Sequence, residues 1–261
     1  MVQVDTDEKN PKFKKADIYI KSDIRECLTL LNDEIKTGPH YQKPSRSRIY
    51  DTYRKSYRDF TEADYRAIRK GSSSLTAQSF LLALSAFLEK KDATLFTDSI
   101  WLPFSHLLPR ARKPRSFFSM RSFGCLGFSL PAAIGACLAD RRRKVISLSG
   151  DGAFLFNCQE LSTAATYGLK NFIQIILNNN GFASLHNLAS RKFVRQNEYY
   201  LWDKINYHGF SESLGVRAIT VASPKKITSA LKKALSGNGP YLINVITSGQ
   251  VDMKGAFWVK K

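Results

Sequence analysis

Two apolar runs, KVISLS at residues 144–149 and FIQIIL at residues 172–177, constrain this chain more than any other feature. A strand with one wet face alternates apolar and polar residues, whereas a strand covered on both faces can stay apolar throughout. The two runs are therefore expected to be interior strands of a parallel sheet. Parallel neighbours need a crossover connection, and the residues between them supply one. Cys158–Tyr167 has the pattern of a helix, Gly168 suits the position just past its end, and Asn157 with Glu160 has capping-box spacing.

The same alternation extends outward. Ala93–Thr97, Val216–Val221 and Tyr241–Ile246 read as strands, and Leu75–Leu88 (capped by Ser74), Gly127–Ala139, Trp202–Leu214 and Pro224–Leu235 as helices. The fold class expected is α/β, a parallel sheet with helices on both faces. Ahead of it, Met1–Val4, Ala16–Ile20 and Asp23–Ile35 read as two short strands and a helix, too little to bury a core alone. The organisation expected is residues 1–37 as part of a preceding domain, 38–73 as a connection, 74–249 as the main domain and 250–261 as a tail.

At the carboxyl ends of the two central strands stand Gly150-Asp151-Gly152 and Asn178-Asn179-Asn180. Ligands of open α/β sheets bind there. Gly150 and Gly152 let a bulky anion approach the backbone closely. Asp151 offers a carboxylate oxygen, Asn179 an amide oxygen, and the following turn a backbone carbonyl. Hard oxygen donors with a phosphate close by suit Mg²⁺, so the pattern points to a magnesium–diphosphate site.

Charge and cysteine content narrow the alternatives. The net charge is +18; residues 101–144 and the stretch from Arg191 onward each carry a net +8, while residues 145–190 hold one lysine and two acids. The excess flanks the motif, and no nucleic-acid module is visible, so nucleic acid is not the expected partner. No apolar run reaches the roughly 18 residues of a membrane span, and the charged opening MVQVDTDEKNPKFKK lacks a signal-peptide core. A cytoplasmic location is expected. Cys27, Cys125, Cys137 and Cys158 are expected as buried free thiols, and the four histidines have no metal-ligand spacing.

The segment FGCLGFSLPAAIGACLADRRRKVISLSGDGAFLFNCQELSTA, with LNNNGFASLHNLASRKF after it, resembles the diphosphate-binding domain of thiamine diphosphate enzymes of the acetolactate synthase and pyruvate decarboxylase group. The resemblance implies thiamine diphosphate and Mg²⁺ as cofactors, the metal held by the Asp151 carboxylate, the Asn179 side chain and the Gly181 carbonyl. It places Gly150, Gly152, Ala153, Asn178, Phe182 and Ala183 around the diphosphate. Leu126 matches the position of an apolar wedge between the two cofactor rings; the alternative for it is a plain core leucine. The gap before the asparagines is about one residue longer than the commonest form, and TDSIWLPF lacks the usual glycine-rich pattern.

The resemblance further implies cleavage of a 2-oxo acid such as pyruvate, with transfer of the resulting unit to an acceptor. The glutamate that activates the cofactor comes in this family from a separate amino-terminal domain, usually of a neighbouring subunit. The opening residues resemble the end of the family's Rossmann-like middle domain. No catalytic residue is therefore assigned within this chain, and a chain or domain supplying the glutamate, in a homo- or hetero-oligomer, is the partner expected. The alternatives are a non-catalytic truncated remnant and a basic binding protein on the same fold.

Overall fold

The structure, a computed structural model, describes residues 2–6, 17–37, 75–89, 91–98, 107–109, 111, 113–120, 123–183, 185 and 200–247. The chain divides into two compact units, Met1–Asp59 and Phe60–Lys261. In the first, β1 (Val2–Asp5) and β2 (Ile18–Lys21) pair in parallel. Asp23 Oδ1 then accepts from Arg25 N at 2.8 Å and starts α1 (Ile24–Thr37). The apolar residues of α1 have helical spacing, yet Cys27 is its one buried residue, and Ile24, Leu28, Leu30, Leu31 and Ile35 stay exposed.

The second unit is built on a six-stranded sheet. Its strands are β3 (Ala93–Thr97), β4 (Phe117–Ser119), β5 (Lys144–Gly150), β6 (Phe172–Asn178), β7 (Arg217–Val221) and β8 (Tyr241–Ile246). They lie in the order β4-β3-β5-β6-β8-β7, and every pairing is parallel. The chain turns one way from β3 to β4 and crosses back to β5 on the other side. The strand order therefore reverses between β3 and β5, the kind of place at which open α/β sheets bind ligands beyond the carboxyl ends of their strands.

The lack of alternation in the central strands has the expected cause. Ile146 and Leu148 of β5 and Ile173 and Ile175 of β6 join a core layer with Phe80, Leu81 and Leu84 of α2 (Ala77–Leu88) and Ala230, Leu231 and Ala234 of α7 (Ile227–Ser236). Val145, Phe172 and Ile176 point to the opposite face. There they meet Leu130, Ala133 and Ile134 of α3 (Ser129–Ala139), Phe154 of α4 (Asp151–Phe154), Leu161 and Ala164 of α5 (Leu161–Thr166) and Tyr207 of α6 (Tyr207–Ser213). All seven residues of β6 are buried. Fully burying one such aliphatic side chain stabilises by about 1.5–3 kcal/mol, so these two layers hold the sheet and fix its carboxyl edge.

Several boundaries differ from the expectation for local reasons. Ser74 lies outside the described residues; α2 is capped instead by Thr76, whose hydroxyl accepts from Ser79 N at 3.1 Å while Ser79 Oγ accepts from Thr76 N at 3.1 Å. Thr76→Ala should cost about 1 kcal/mol, read as a lower urea midpoint with an unchanged slope. The helix expected over Cys158–Tyr167 is a 3₁₀ turn at Cys158–Glu160 followed by α5, and Gly168 ends it at φ +55°. The short strand β4 was not foreseen. The cysteines are free thiols, but Cys125 is exposed and Cys158 half-buried, because both sit in surface turns at the carboxyl edge of the sheet. Burial drives the Cys137 thiol up to about 12. No helix among the described residues is long and apolar enough to cross a membrane.

Candidate functional site

β5 delivers Gly150 to its end in an extended conformation, and α4 begins immediately with Asp151. The first N–H groups of a helix have no acceptor within its backbone; that of Gly152 turns to the Asp151 carboxyl, and that of Ala153 follows it at the sheet edge. Asp151 is 1% exposed. Its Oδ2 accepts from Gly181 N at 3.0 Å. Burial pushes the carboxyl up to about 7, with the N–H groups of Gly181 and Gly152 pulling the other way.

The loop after β6 is fixed from two sides. Asn178 is buried and its side chain is fully engaged: Nδ2 donates to Asn244 Oδ1 at 3.2 Å, and Oδ1 accepts from Asn180 N at 3.1 Å. Asn180 takes φ +56°, a left-handed conformation that asparagine tolerates. On the outer side, Gly181 forms an antiparallel bridge with Leu201. Phe182 N donates to Tyr200 O at 2.8 Å and Trp202 N to Asn180 O at 3.1 Å. Trp202 stands edge-on to Phe182, ring centroids 5.1 Å apart. These bonds keep Trp202 out of α6, which starts at Tyr207 where Asn206 Oδ1 accepts from Gly209 N at 3.0 Å.

This arrangement brings together three of the residues singled out in the sequence. The amide head of Asn179 lies 2.9 Å from both Asp151 Oδ1 and the Gly181 carbonyl oxygen. With its nitrogen turned inward it donates to both. With its oxygen inward, three oxygens face one another, which only a cation makes favourable. Octahedral Mg²⁺ with bonds of about 2.0–2.1 Å sets neighbouring ligand oxygens about 2.9 Å apart. The donor set and its spacing fit Mg²⁺. Among the described residues no three His, Cys, Asp or Glu side chains converge, so no zinc-type cluster competes.

Gly152 lies under the aromatic pair. A Cβ there would stand 2.6 Å from Phe182 Cδ1 and 3.0 Å from Trp202 Cη2. Ala183 is buried and Phe182 half-buried. Leu126 lies in the turn before α3, between Gly124 at φ +68° and Gly127 at φ +82°. It is half-exposed and belongs to neither core layer, unlike a plain core leucine.

The sequence reading missed Asp98, Trp202 and Tyr207. Asp98 ends β3 buried, accepting from Ser129 Oγ at 2.7 Å and Ser129 N at 3.2 Å; burial raises its carboxyl. A lone acid at a predicted strand end was the available signal. Tyr207 is fully buried on α6, where its hydroxyl faces the Trp202 side chain without a well-formed hydrogen bond. Tyr207→Phe should therefore change stability by no more than about 1 kcal/mol, since loss of the weak contact with Trp202 is offset by removal of a buried hydroxyl; chemical denaturation measures it.

Residues 103–245 match the model for the thiamine pyrophosphate enzyme carboxy-terminal TPP binding domain, more than half of the chain. The chain belongs to the thiamine pyrophosphate enzyme family. What it carries is that family's cofactor-binding carboxy-terminal domain, in an acetolactate synthase-like version, and the family's cofactors are thiamine diphosphate and Mg²⁺. The chain is 36% identical over 138 residues to a probable acetolactate synthase large subunit of Methanocaldococcus jannaschii, covering 52% of this chain and 23% of that protein. It is 27% identical over 252 residues to the acetolactate synthase isozyme 1 large subunit of Escherichia coli, covering 94% of this chain and 42% of that one. A thiamine diphosphate-dependent 4-hydroxybenzoylformate decarboxylase from Rhodococcus jostii matches in structure, with TM-score 0.60, 30% identity, 68% of this chain and 33% of that chain. The chain thus spans less than half the length of these relatives.

Proposed function

We propose that this chain is the diphosphate-holding part of an acetolactate synthase-like enzyme acting on a 2-oxo acid such as pyruvate. The observation that carries the reading is that Asp151 Oδ1 and the Gly181 carbonyl both meet the Asn179 amide head at 2.9 Å. In this reading the Asp151 carboxylate, the Asn179 amide oxygen and the Gly181 carbonyl hold Mg²⁺. The N–H groups of Gly152 and Ala153 and the turn at Phe182 and Ala183 receive the diphosphate. Gly150 and Gly152 keep the backbone approachable, and Asn178 supports the loop through Asn180 and Asn244. Leu126 faces the cofactor rings.

Thiamine diphosphate supplies carbanion chemistry at the carbonyl carbon of a 2-oxo acid. The residues named here bind and orient it. The glutamate that activates it comes, in this reading, from another domain or chain, so the working site is shared within an oligomer. The free thiols are compatible with a cytoplasmic setting.

Calorimetry with thiamine diphosphate tests the reading. Binding that requires Mg²⁺ and disappears in Asp151→Ala is expected; binding indifferent to both would overturn it. A second reading, a basic binding protein on this fold, has one observation in its favour. Lys113, Arg115, Arg141, Arg142, Arg143, Lys144 and Lys170 gather at the amino-terminal ends of β4, β5 and β6, opposite the GDG turn. Retention on an anionic polymer at elevated salt would favour it.

A further inference from the structure

We infer that Asn157 is a positioning residue that ties the diphosphate end of the site to its ring end by fixing the turn that carries Leu126; this rests on the reading above. The sequence places Asn157 as a helix cap, yet its side chain makes no capping bond. Instead Nδ2 donates to the Gly127 carbonyl at 2.9 Å, thirty positions back along the chain.

The contact is close enough to leave no slack. Gly127 sits at φ +82°, and a Cβ on it would stand 2.7 Å from Asn157 Nδ2, 2.8 Å from Phe156 Cβ and 3.5 Å from the Ala153 carbonyl oxygen. The Leu126–Gly127 turn therefore rests directly on the backbone that leads out of α4, the helix that opens with Asp151. The chain just after the turn is held a second time by Asp98, which accepts from Ser129 N and Oγ at 3.2 and 2.7 Å. Leu126 immediately precedes these two anchors, at Gly127 and Ser129, and lies outside both core layers. A half-exposed leucine gains little from packing, so its position is set by the anchored backbone that follows it. Removing the amide of Asn157 frees the turn from α4 while leaving Asp151, Asn179 and Gly181 in place.

Two ligands separate this from a general structural role. Inorganic pyrophosphate with Mg²⁺ probes the diphosphate end alone, whereas thiamine diphosphate engages both ends. In calorimetry, Asn157→Ala and Leu126→Ala should each weaken thiamine diphosphate binding by about tenfold, the order of one lost hydrogen bond. Pyrophosphate affinity should stay within about twofold. The double variant should be no weaker than either single one, because both act through the same contact. Asn157→Asp, which keeps the shape but loses the donor, should behave like Asn157→Ala and covers the case in which the alanine variant folds poorly.

Equal losses for both ligands in the Asn157 variants, unchanged thiamine diphosphate affinity, or losses that multiply in the double variant would each overturn the inference. Wild-type protein that binds pyrophosphate as tightly as thiamine diphosphate would show that no ring end is formed. Wild-type protein that binds neither ligand would overturn the cofactor reading itself, and the inference with it.

Discussion

Asp151→Asn should make the metal-free protein more stable at pH 8 and abolish its stabilisation by Mg²⁺. The carboxyl of Asp151 is buried at 1% exposure and is pushed up to about 7 from its ordinary 3.8. Below about pH 4 the folded and unfolded chains both hold the proton, and burial of the group costs little. As pH rises through that range the unfolded chain releases the proton first, so folding becomes less favourable; above about 7 the folded chain bears a buried charge and the cost is complete. A shift of this size corresponds to at most about 4 kcal/mol.

Asparagine has no charge to bury, and its amide oxygen can still accept from Gly181 N. The difference in stability between variant and wild type should accordingly grow from pH 5 to pH 8 in the presence of a chelator. Mg²⁺ reverses the order by giving the wild-type carboxylate its counter-charge. Melting curves with chelator and with saturating Mg²⁺ measure all four quantities. A wild-type protein whose stability relative to the variant does not change with pH would show that the carboxylate is hydrated rather than enclosed.

Gly152→Ala should remove cofactor binding and destabilise the second unit. The added methyl carbon would stand 2.6 Å from Phe182 Cδ1 and 3.0 Å from Trp202 Cη2, against backbone-anchored rings. Relief requires Phe182 to swing away, and Phe182 N is bonded to Tyr200 O while the ring meets Trp202 edge-on. The displacement passes to Gly181, whose N–H holds Asp151 and whose carbonyl completes the oxygen cluster. Overpacking of this kind costs about 1–3 kcal/mol, and a site that depends on ångström spacing loses its geometry as well. Calorimetry reads the loss of thiamine diphosphate binding, and thermal unfolding reads the destabilisation. Gly150→Ala serves as the comparison for stability alone, since a Cβ at Gly150 meets nothing within 4 Å.

The parts of the site that were legible in the sequence are those whose partners are close along the chain or fixed by strand ends. KVISLS and FIQIIL announce buried strands because apolar residues stand on both faces of each run. GDG and the asparagines follow from them, and the sheet register brings Gly150 beside Leu177. What was not legible depends on contacts across long separations. Asn157 has the spacing of a cap, but its partner Gly127 is selected by how α3 and α4 pack. Trp202 begins an apolar pattern that resembles a helix, yet the chain there pairs with residues 180–182. β4 is three residues long and half-exposed, too short for any periodicity to show. The resemblance carried the chemistry; the strand pattern carried the place where that chemistry sits.

The central claim is that Asp151, Asn179 and Gly181 form one metal clamp. Crystals grown with Mn²⁺ and thiamine diphosphate test it most directly, because Mn²⁺ takes the same oxygen ligands as Mg²⁺ and is located by its anomalous scattering. The account predicts one strong peak bonded to Asp151 Oδ1, Asn179 Oδ1 and the Gly181 carbonyl, with the Asn179 amide turned oxygen-inward. A peak elsewhere, or a cofactor-loaded site in which the Asn179 amide donates to Asp151, would contradict it.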